Sequence, residues 1–127
     1  MQDSASYDIL VVDDTTAMAN ILVMFLELEK FSARAVENGA DALALLEKSM
    51  PRMAFIDLSM PVMDGLELAR RIREREDGRD IRLIALTGWD DDAHRNEAID
   101  AGFDDYLVKP VSPATLRDLL ARVAQEV

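Results

Sequence analysis

Three kinds of side chain recur at comparable places along this chain, each at the end of a short apolar run or directly after one. Carboxylates stand at Asp13, Asp14 and Asp57, a hydroxyl at Thr87 and an ammonium at Lys109. A carboxylate nucleophile, a lysine to spread charge on a transferring group and a hydroxyl to hold one of its oxygens are the parts of a phosphoryl-transfer site. The remaining acids fit the same chemistry as ligands of a hard cation. Two like charges ~4 Å apart at an effective dielectric of ~20 repel by about 4 kcal/mol, so three acids in one pocket either take up protons or recruit a cation. Lys109 neutralises only one charge of the three. Mg²⁺, which keeps several waters and binds through one or two carboxylates plus a phosphate oxygen, suits such a set. No member is diagnostic alone, because an isolated Asp at a strand end is usually a helix cap and an isolated Lys usually lies on the surface. Their joint arrival is the signal.

What must position them is an alternation of strands and helices. Ile9–Val12, Phe31–Val36, Met53–Ile56, Ile81–Leu86 and Tyr106–Val108 read as strands, and the first and third are the continuous apolar runs of strands buried on both faces. Between and after them, Thr15–Lys30, Ala40–Lys48, Leu66–Arg75, Asp91–Ala101 and Pro113–Gln125 carry helical spacing, with Asp64 as an N-cap and Pro113 near the first position of the last helix. The pattern predicts an α/β fold: a doubly wound five-stranded parallel sheet in the flavodoxin-like order 2-1-3-4-5, flanked by five helices. Ser32 and Arg34 interrupt the second strand and suit it to an edge. In this order the first and third strands are neighbours, so Asp13 and Asp14 face Asp57 across the carboxyl edge of the sheet, where ligands of open α/β sheets bind. A single domain is expected over residues 1–127, with its core at 8–125.

Composition removes other classes. The chain has 127 residues, no cysteine and one histidine, His94, so disulfides, thiolate chemistry and His-ligated metals are excluded. A net charge of −11 repels nucleic acid and anionic membranes, which leaves a protein partner. No apolar run reaches the roughly 18 residues of a membrane helix, and Met1-Gln2-Asp3-Ser4 lacks the opening of an export signal, so a cytoplasmic location is expected.

The motifs Leu10-Val11-Val12-Asp13-Asp14, Phe55-Ile56-Asp57-Leu58-Ser59-Met60-Pro61-Val62-Met63-Asp64-Gly65, Leu83-Ile84-Ala85-Leu86-Thr87-Gly88 and Tyr106-Leu107-Val108-Lys109-Pro110 together resemble the response-regulator receiver domains, over Asp8 to about Val123. The likeness is expected to be to the stand-alone, chemotaxis-type members, and it leaves open a domain that acts through a partner, a phosphate relay or sink, or a receiver cut from a hybrid kinase. The resemblance implies that Asp57 is the phosphorylated residue of a two-component pathway. It implies that Asp14, Asp57 and the backbone carbonyl of Ser59 bind Mg²⁺ directly, with Asp13 holding it through water. Thr87 and Lys109 become phosphoryl-oxygen contacts, and Lys109-Pro110 a cis bond. A switch is implied in which Thr87 moves toward the phosphoryl group and Tyr106 turns inward, reshaping the face made by the fourth helix, fifth strand and fifth helix. The implied partners are a histidine kinase or histidine phosphotransfer protein upstream and a protein target downstream. The domain would be a monomer or weak dimer that catalyses only its own phosphorylation and dephosphorylation.

Other features carry plainer expectations. In the first helix Met18, Ile21, Leu22, Phe25 and Leu28 form the stripe expected to face the core, while Ala19, Val23 and Leu26, on a second side, are expected to make a contact that the resemblance implies is with the donor protein, ahead of self-association or simple tolerance. The methionines are expected as core or loop fillers, His94 as a solvated residue, and Asp90-Asp91-Asp92 as cap and first-turn acids. The fourth helix has few apolar anchors, chiefly Ala93, Ala98 and Ile99. Trp89 lies two residues beyond Thr87, at a position that the resemblance implies tunes hydrolysis; it is expected either over the site, where its indole would exclude water, or as a partly exposed loop residue without kinetic consequence. Three rival functions are weaker. A metal-dependent phosphatase of the haloacid dehalogenase kind wants an acid where Ser59 stands, a flavin carrier needs a phosphate cradle where Asp13-Asp14 would repel one, and a phosphorylation-dead scaffold would not need so complete a pocket.

Overall fold

The computed structural model describes residues 7–125. Among them five strands and five α-helices alternate: β1 Ile9–Val12, α1 Thr16–Leu28, β2 Ala33–Val36, α2 Gly39–Lys48, β3 Met53–Asp57, α3 Gly65–Glu74, β4 Arg82–Thr87, α4 Asp92–Ala101, β5 Asp105–Val108 and α5 Pro113–Gln125. The strands form one parallel sheet in the order β2-β1-β3-β4-β5, as expected, with β2 at an edge. Strand bounds differ from the sequence reading chiefly at β2, which starts at Ala33, because the N–H of Phe31 still bonds back to Leu26 O at the end of α1.

Period-2 alternation explains why the central strands are apolar throughout. Leu10, Val12, Ala54, Ile56, Leu83 and Ala85 face one layer, packed with Ala42 and Leu46 of α2, Leu68, Ala69 and Ile72 of α3, and Ala98 and Ala101 of α4. Ile9, Val11, Met53, Phe55, Ile84 and Leu86 face the other, packed with Ala19 and Leu26 of α1 and Leu116, Leu119, Leu120 and Val123 of α5. Helices therefore cover both faces, and the carboxyl edge of the sheet stays open.

Local chemistry fixes the helix starts. Asn38, Asp64 and Asp91 are N-caps, and each side chain accepts a backbone N–H three residues on, from Asp41, Glu67 and His94. Gly65 has a steric reason: a Cβ there would lie 2.5 Å from Asp57 O and 2.8 Å from Leu58 Cα. Only glycine lets α3 start this close to the end of β3.

The structure corrects the expectation for α1. Ala19 (2% exposed) and Leu26 (0%) are buried against the sheet with Val23 and Leu22 packed beside them, so the Ala19, Val23, Leu26 side is the core side and offers nothing to a partner. Met18, Ile21, Met24 and Leu28 face solvent, with Ile21 60% and Leu28 74% exposed. The helix is apolar almost all round, so periodicity shows two stripes and does not rank them. Ala19, Leu22, Val23 and Leu26 follow i, i+3, i+4, i+7, and the small Ala19 permits close approach to the sheet. Met18 and Met24 are thus surface residues, while Met53 and Met60 are core. In α4 the buried anchors are Ala98 and Ala101, whereas Ile99 and Ala93 are exposed.

Candidate functional site

The register of the sheet brings the strand-end residues together. β1 pairs with β3 through Val12 and Ile56, which sets Asp13 beside Asp57, and β4 pairs with β5 through Thr87 and Val108, which sets Lys109 at the same edge. Oxygens of Asp13, Asp14 and Asp57 lie within 4.8 Å of one another. Lys109 Nζ is 3.3 Å from Asp57 Oδ2 and 3.6 Å from Asp13 Oδ2. Asp13, Asp57 and Thr87 are buried, while Asp14 is exposed at the mouth. The Lys109-Pro110 bond is cis, and the Lys109 N–H donates to Thr87 O.

Two backbone donors orient the acids: Thr15 N–H to Asp13 Oδ1 at 2.9 Å and Ser59 N–H to Asp57 Oδ1 at 3.1 Å. Each occupies one oxygen and leaves the other toward Lys109. Burial pushes the Asp57 carboxyl above its ordinary range and the Asp13 charge adds to this, against the Ser59 N–H and the Lys109 ammonium, which lower it. One cation among three acids leaves excess negative charge on hard oxygen donors, and a divalent ion that prefers oxygen fits this donor set.

Thr87 and Tyr106 are joined through Trp89. The Trp89 N–H donates to Thr87 Oγ1 at 3.1 Å, and Tyr106 Oη donates to the Trp89 carbonyl. The Trp89 indole, 56% exposed, stacks on His94, so it leans along α4 rather than being held over the carboxylates by contacts there. His94 is correspondingly not a freely solvated residue: it is half-buried, and Nδ1 lies 2.8 Å from both Asp91 oxygens. Sequence reading missed this pair. The only available sign was a five-residue offset between two rings spanning a loop and a helix start.

Beside Lys109 runs an apolar groove of about 190 Å³, lined by Met18, Ile21 and Phe25 of α1 and by Pro110, Val111 and Pro113. Asp13 and Lys109 also line it. The exposed side of α1 and the site are therefore continuous.

An open parallel α/β sheet with three carboxylates, a lysine and a threonine at its carboxyl edge is the site of a protein suited to phosphoryl transfer with a hard cation. The family profile described as response regulator receiver domain matches residues 9–121, and the chain belongs to that family. It is 37% identical over 123 residues to the transcriptional regulatory protein ResD of Bacillus subtilis, matching 97% of this chain but 49% of that protein, so it spans about half the length of that relative. Its fold is similar to chemotaxis protein CheY4 of Vibrio cholerae, with a TM-score of 0.87 and 27% identity over 92% of this chain and 98% of that one. It is similar also to the receiver domain of sensor histidine kinase PA1611 from Pseudomonas aeruginosa, which holds a magnesium ion in its active site cleft, with a TM-score of 0.85 and 30% identity over 94% and 98% of the two chains. Receiver domains are phosphoacceptors rather than turnover enzymes, and they act with histidine kinases or phosphotransfer proteins. Among the described residues, no helix is long and apolar enough to cross a membrane.

Proposed function

We propose that Asp57 accepts a phosphoryl group from a phosphohistidine of a kinase or phosphotransfer protein, and that Thr87 and Tyr106 convert this into a change of the α4-β5-α5 face. One observation carries the assignment: of the two buried carboxylates, Asp57 is the nearer to Lys109, at 3.3 Å against 3.6 Å for Asp13, in a pocket both share with Asp14. Its free oxygen attacks phosphorus, the P–N bond to the donor imidazole breaks, and the imidazole leaves with the electron pair. Lys109 receives charge developing on the phosphoryl oxygens, and the Thr87 hydroxyl receives one oxygen. Asp13, Asp14, Asp57 and the Ser59 carbonyl would hold Mg²⁺, which when bound neutralises the acids and the transferring group. Hydrolysis of the acyl phosphate by the domain itself completes the cycle, and the whole reads as one cytoplasmic signalling domain.

The donor's docking place is best read from the corrected face of α1. Exposed Met18, Ile21 and Pro110 with half-buried Phe25 and Val111 form an apolar groove that reaches Lys109, which a helical partner covers while presenting its histidine to Asp57. Incubation with a small phosphodonor and Mg²⁺ tests the central reading. A base-labile adduct of one phosphoryl group is expected on Asp57 and none on the Asp57→Asn variant. Stoichiometric labelling of that variant would refute the assignment.

A further inference from the structure

Trp89 holds both switch residues through its backbone and is itself held through its side chain. Its N–H engages Thr87 Oγ1 at 3.1 Å and its carbonyl engages the Tyr106 hydroxyl. Its indole lies flat on the His94 imidazole, with centroids 4.8 Å apart and planes 4° from parallel. The imidazole does not float: Nδ1 sits 2.8 Å from Asp91, whose carboxylate also accepts the His94 backbone N–H as the N-cap of α4. One residue further on, the Arg95 guanidinium stands 4.7 Å over the Tyr106 ring and pairs with Asp90 at 3.3 Å. The first turn of α4 therefore grips the loop after β4 by Trp89 and the switch tyrosine by its ring.

We propose that His94 is a positioning residue of the switch, whose stack on Trp89 anchors the loop after β4 to α4 and so holds Thr87 in its resting engagement. The proposal rests on the reading of Asp57 as phosphoacceptor and of Thr87 as the phosphoryl contact. When Thr87 Oγ1 turns toward a phosphoryl group on Asp57, it keeps the Trp89 N–H only if the loop follows the hydroxyl. The stack holds the loop back, so in the parent the turn costs this hydrogen bond. Trp89 is exposed and His94 half-buried, so the stack is set by their mutual contact and by Asp91 rather than by core walls. Removing it alters the loop without opening a cavity, and the resting state loses stability relative to the engaged one.

Beryllofluoride with Mg²⁺, titrated calorimetrically, measures how readily the engaged state forms. His94→Ala should bind it roughly two- to tenfold more tightly than the parent, the range that a stacked aromatic pair is worth. His94→Phe, which keeps a flat ring on the indole but loses the Asp91 contact, should bring the affinity most of the way back toward the parent's. In a Trp89→Ala background the His94→Ala change should have no further effect, since the interaction it removes is already gone. Trp89 emission should shift in the parent on adding beryllofluoride, and the free His94→Ala protein should already show part of that shift. Unchanged or weaker binding by His94→Ala overturns the proposal, as does a His94→Phe variant that behaves like Ala, or an undiminished His94 effect without Trp89. A parent that binds no beryllofluoride at all would overturn the phosphoacceptor reading together with this one. A parent that binds it while His94→Ala changes nothing would overturn this one alone.

Discussion

Asp57 sits in a conflict that makes it useful. Burial and the neighbouring Asp13 raise its proton affinity, and Lys109 with the Ser59 N–H opposes them. Its native pKa therefore lies above the unfolded one, and in that interval the folded chain binds more protons than the unfolded chain. Stability without metal should fall as pH rises from the ordinary carboxylate range through the raised native value, and stay lower above it. Asp57→Asn removes this group, so its melting temperature without metal should exceed the parent's by roughly 3–6 °C at neutral pH, on the order of 1 kcal/mol, with a smaller gap in mild acid. Thermal melts of the two proteins across that range measure the difference, and an equal gap at every pH would refute the burial argument. Asp14, exposed at the mouth of the pocket, adds ligand charge at little desolvation cost. Asp14→Ala should therefore lose most of the Mg²⁺-induced rise in melting temperature while its stability without metal stays within about 0.5 kcal/mol of the parent or above it. An unreduced Mg²⁺ effect would remove Asp14 from the ligand set.

At the scale of the element, α1 has two apolar sides with opposite fates. Leu26 is fully enclosed between the helix and the sheet, so Leu26→Ala should cost about 2–5 kcal/mol in urea unfolding. Ile21 is 60% exposed on the other side, and Ile21→Ser should change stability by no more than about 0.5 kcal/mol. The same change should slow phosphoryl transfer from a phosphohistidine protein several-fold, yet leave labelling by a small phosphodonor as it was. Equal rates with both donors would mean that this side of α1 does not meet the partner. The fourth helix shows the complementary design. Its buried anchors, Ala98 and Ala101, are small, and its first turn is fastened mainly by Asp91, His94 and Arg95 at the surface. Few buried apolar contacts make an element that shifts at low cost.

Across the whole molecule, Arg73 of α3 ties the layer behind the switch to the sheet. Its guanidinium donates to the carbonyls of Gly102 at 2.9 Å, Gly78 at 3.0 Å and Ile81 at 2.7 Å, and to Asp104 Oδ2 at 2.8 Å. These partners lie at the end of α4, in the 3-10 turn Glu76–Gly78, just before β4 and just before β5. Arg73→Ala leaves several carbonyls short of a donor and should cost about 2–3 kcal/mol in urea unfolding. Arg73→Lys should recover little, because a single ammonium cannot reproduce the planar fork. Small-donor labelling of folded Arg73→Ala protein should persist, since the pocket lies at the opposite edge of the sheet. Loss of labelling in a folded variant would show that the anchor also positions the site.

What the sequence determined by itself was the sheet and the pocket. Runs such as Ile9–Val12 and Met53–Ile56 belong only in strands covered on both faces, and parallel strands joined by helices all end at one edge. Connectivity alone therefore brings Asp13, Asp57, Thr87 and Lys109 to that one edge. Packing decided the rest. An almost wholly apolar α1 gives periodicity no way to choose its buried side, and the choice fell to the close fit of Ala19 and Leu26 on the sheet. The Trp89–His94 stack depends on the course of the short loop between them, and the Arg73 contacts on where segments distant in sequence arrive, and no spacing rule encodes either.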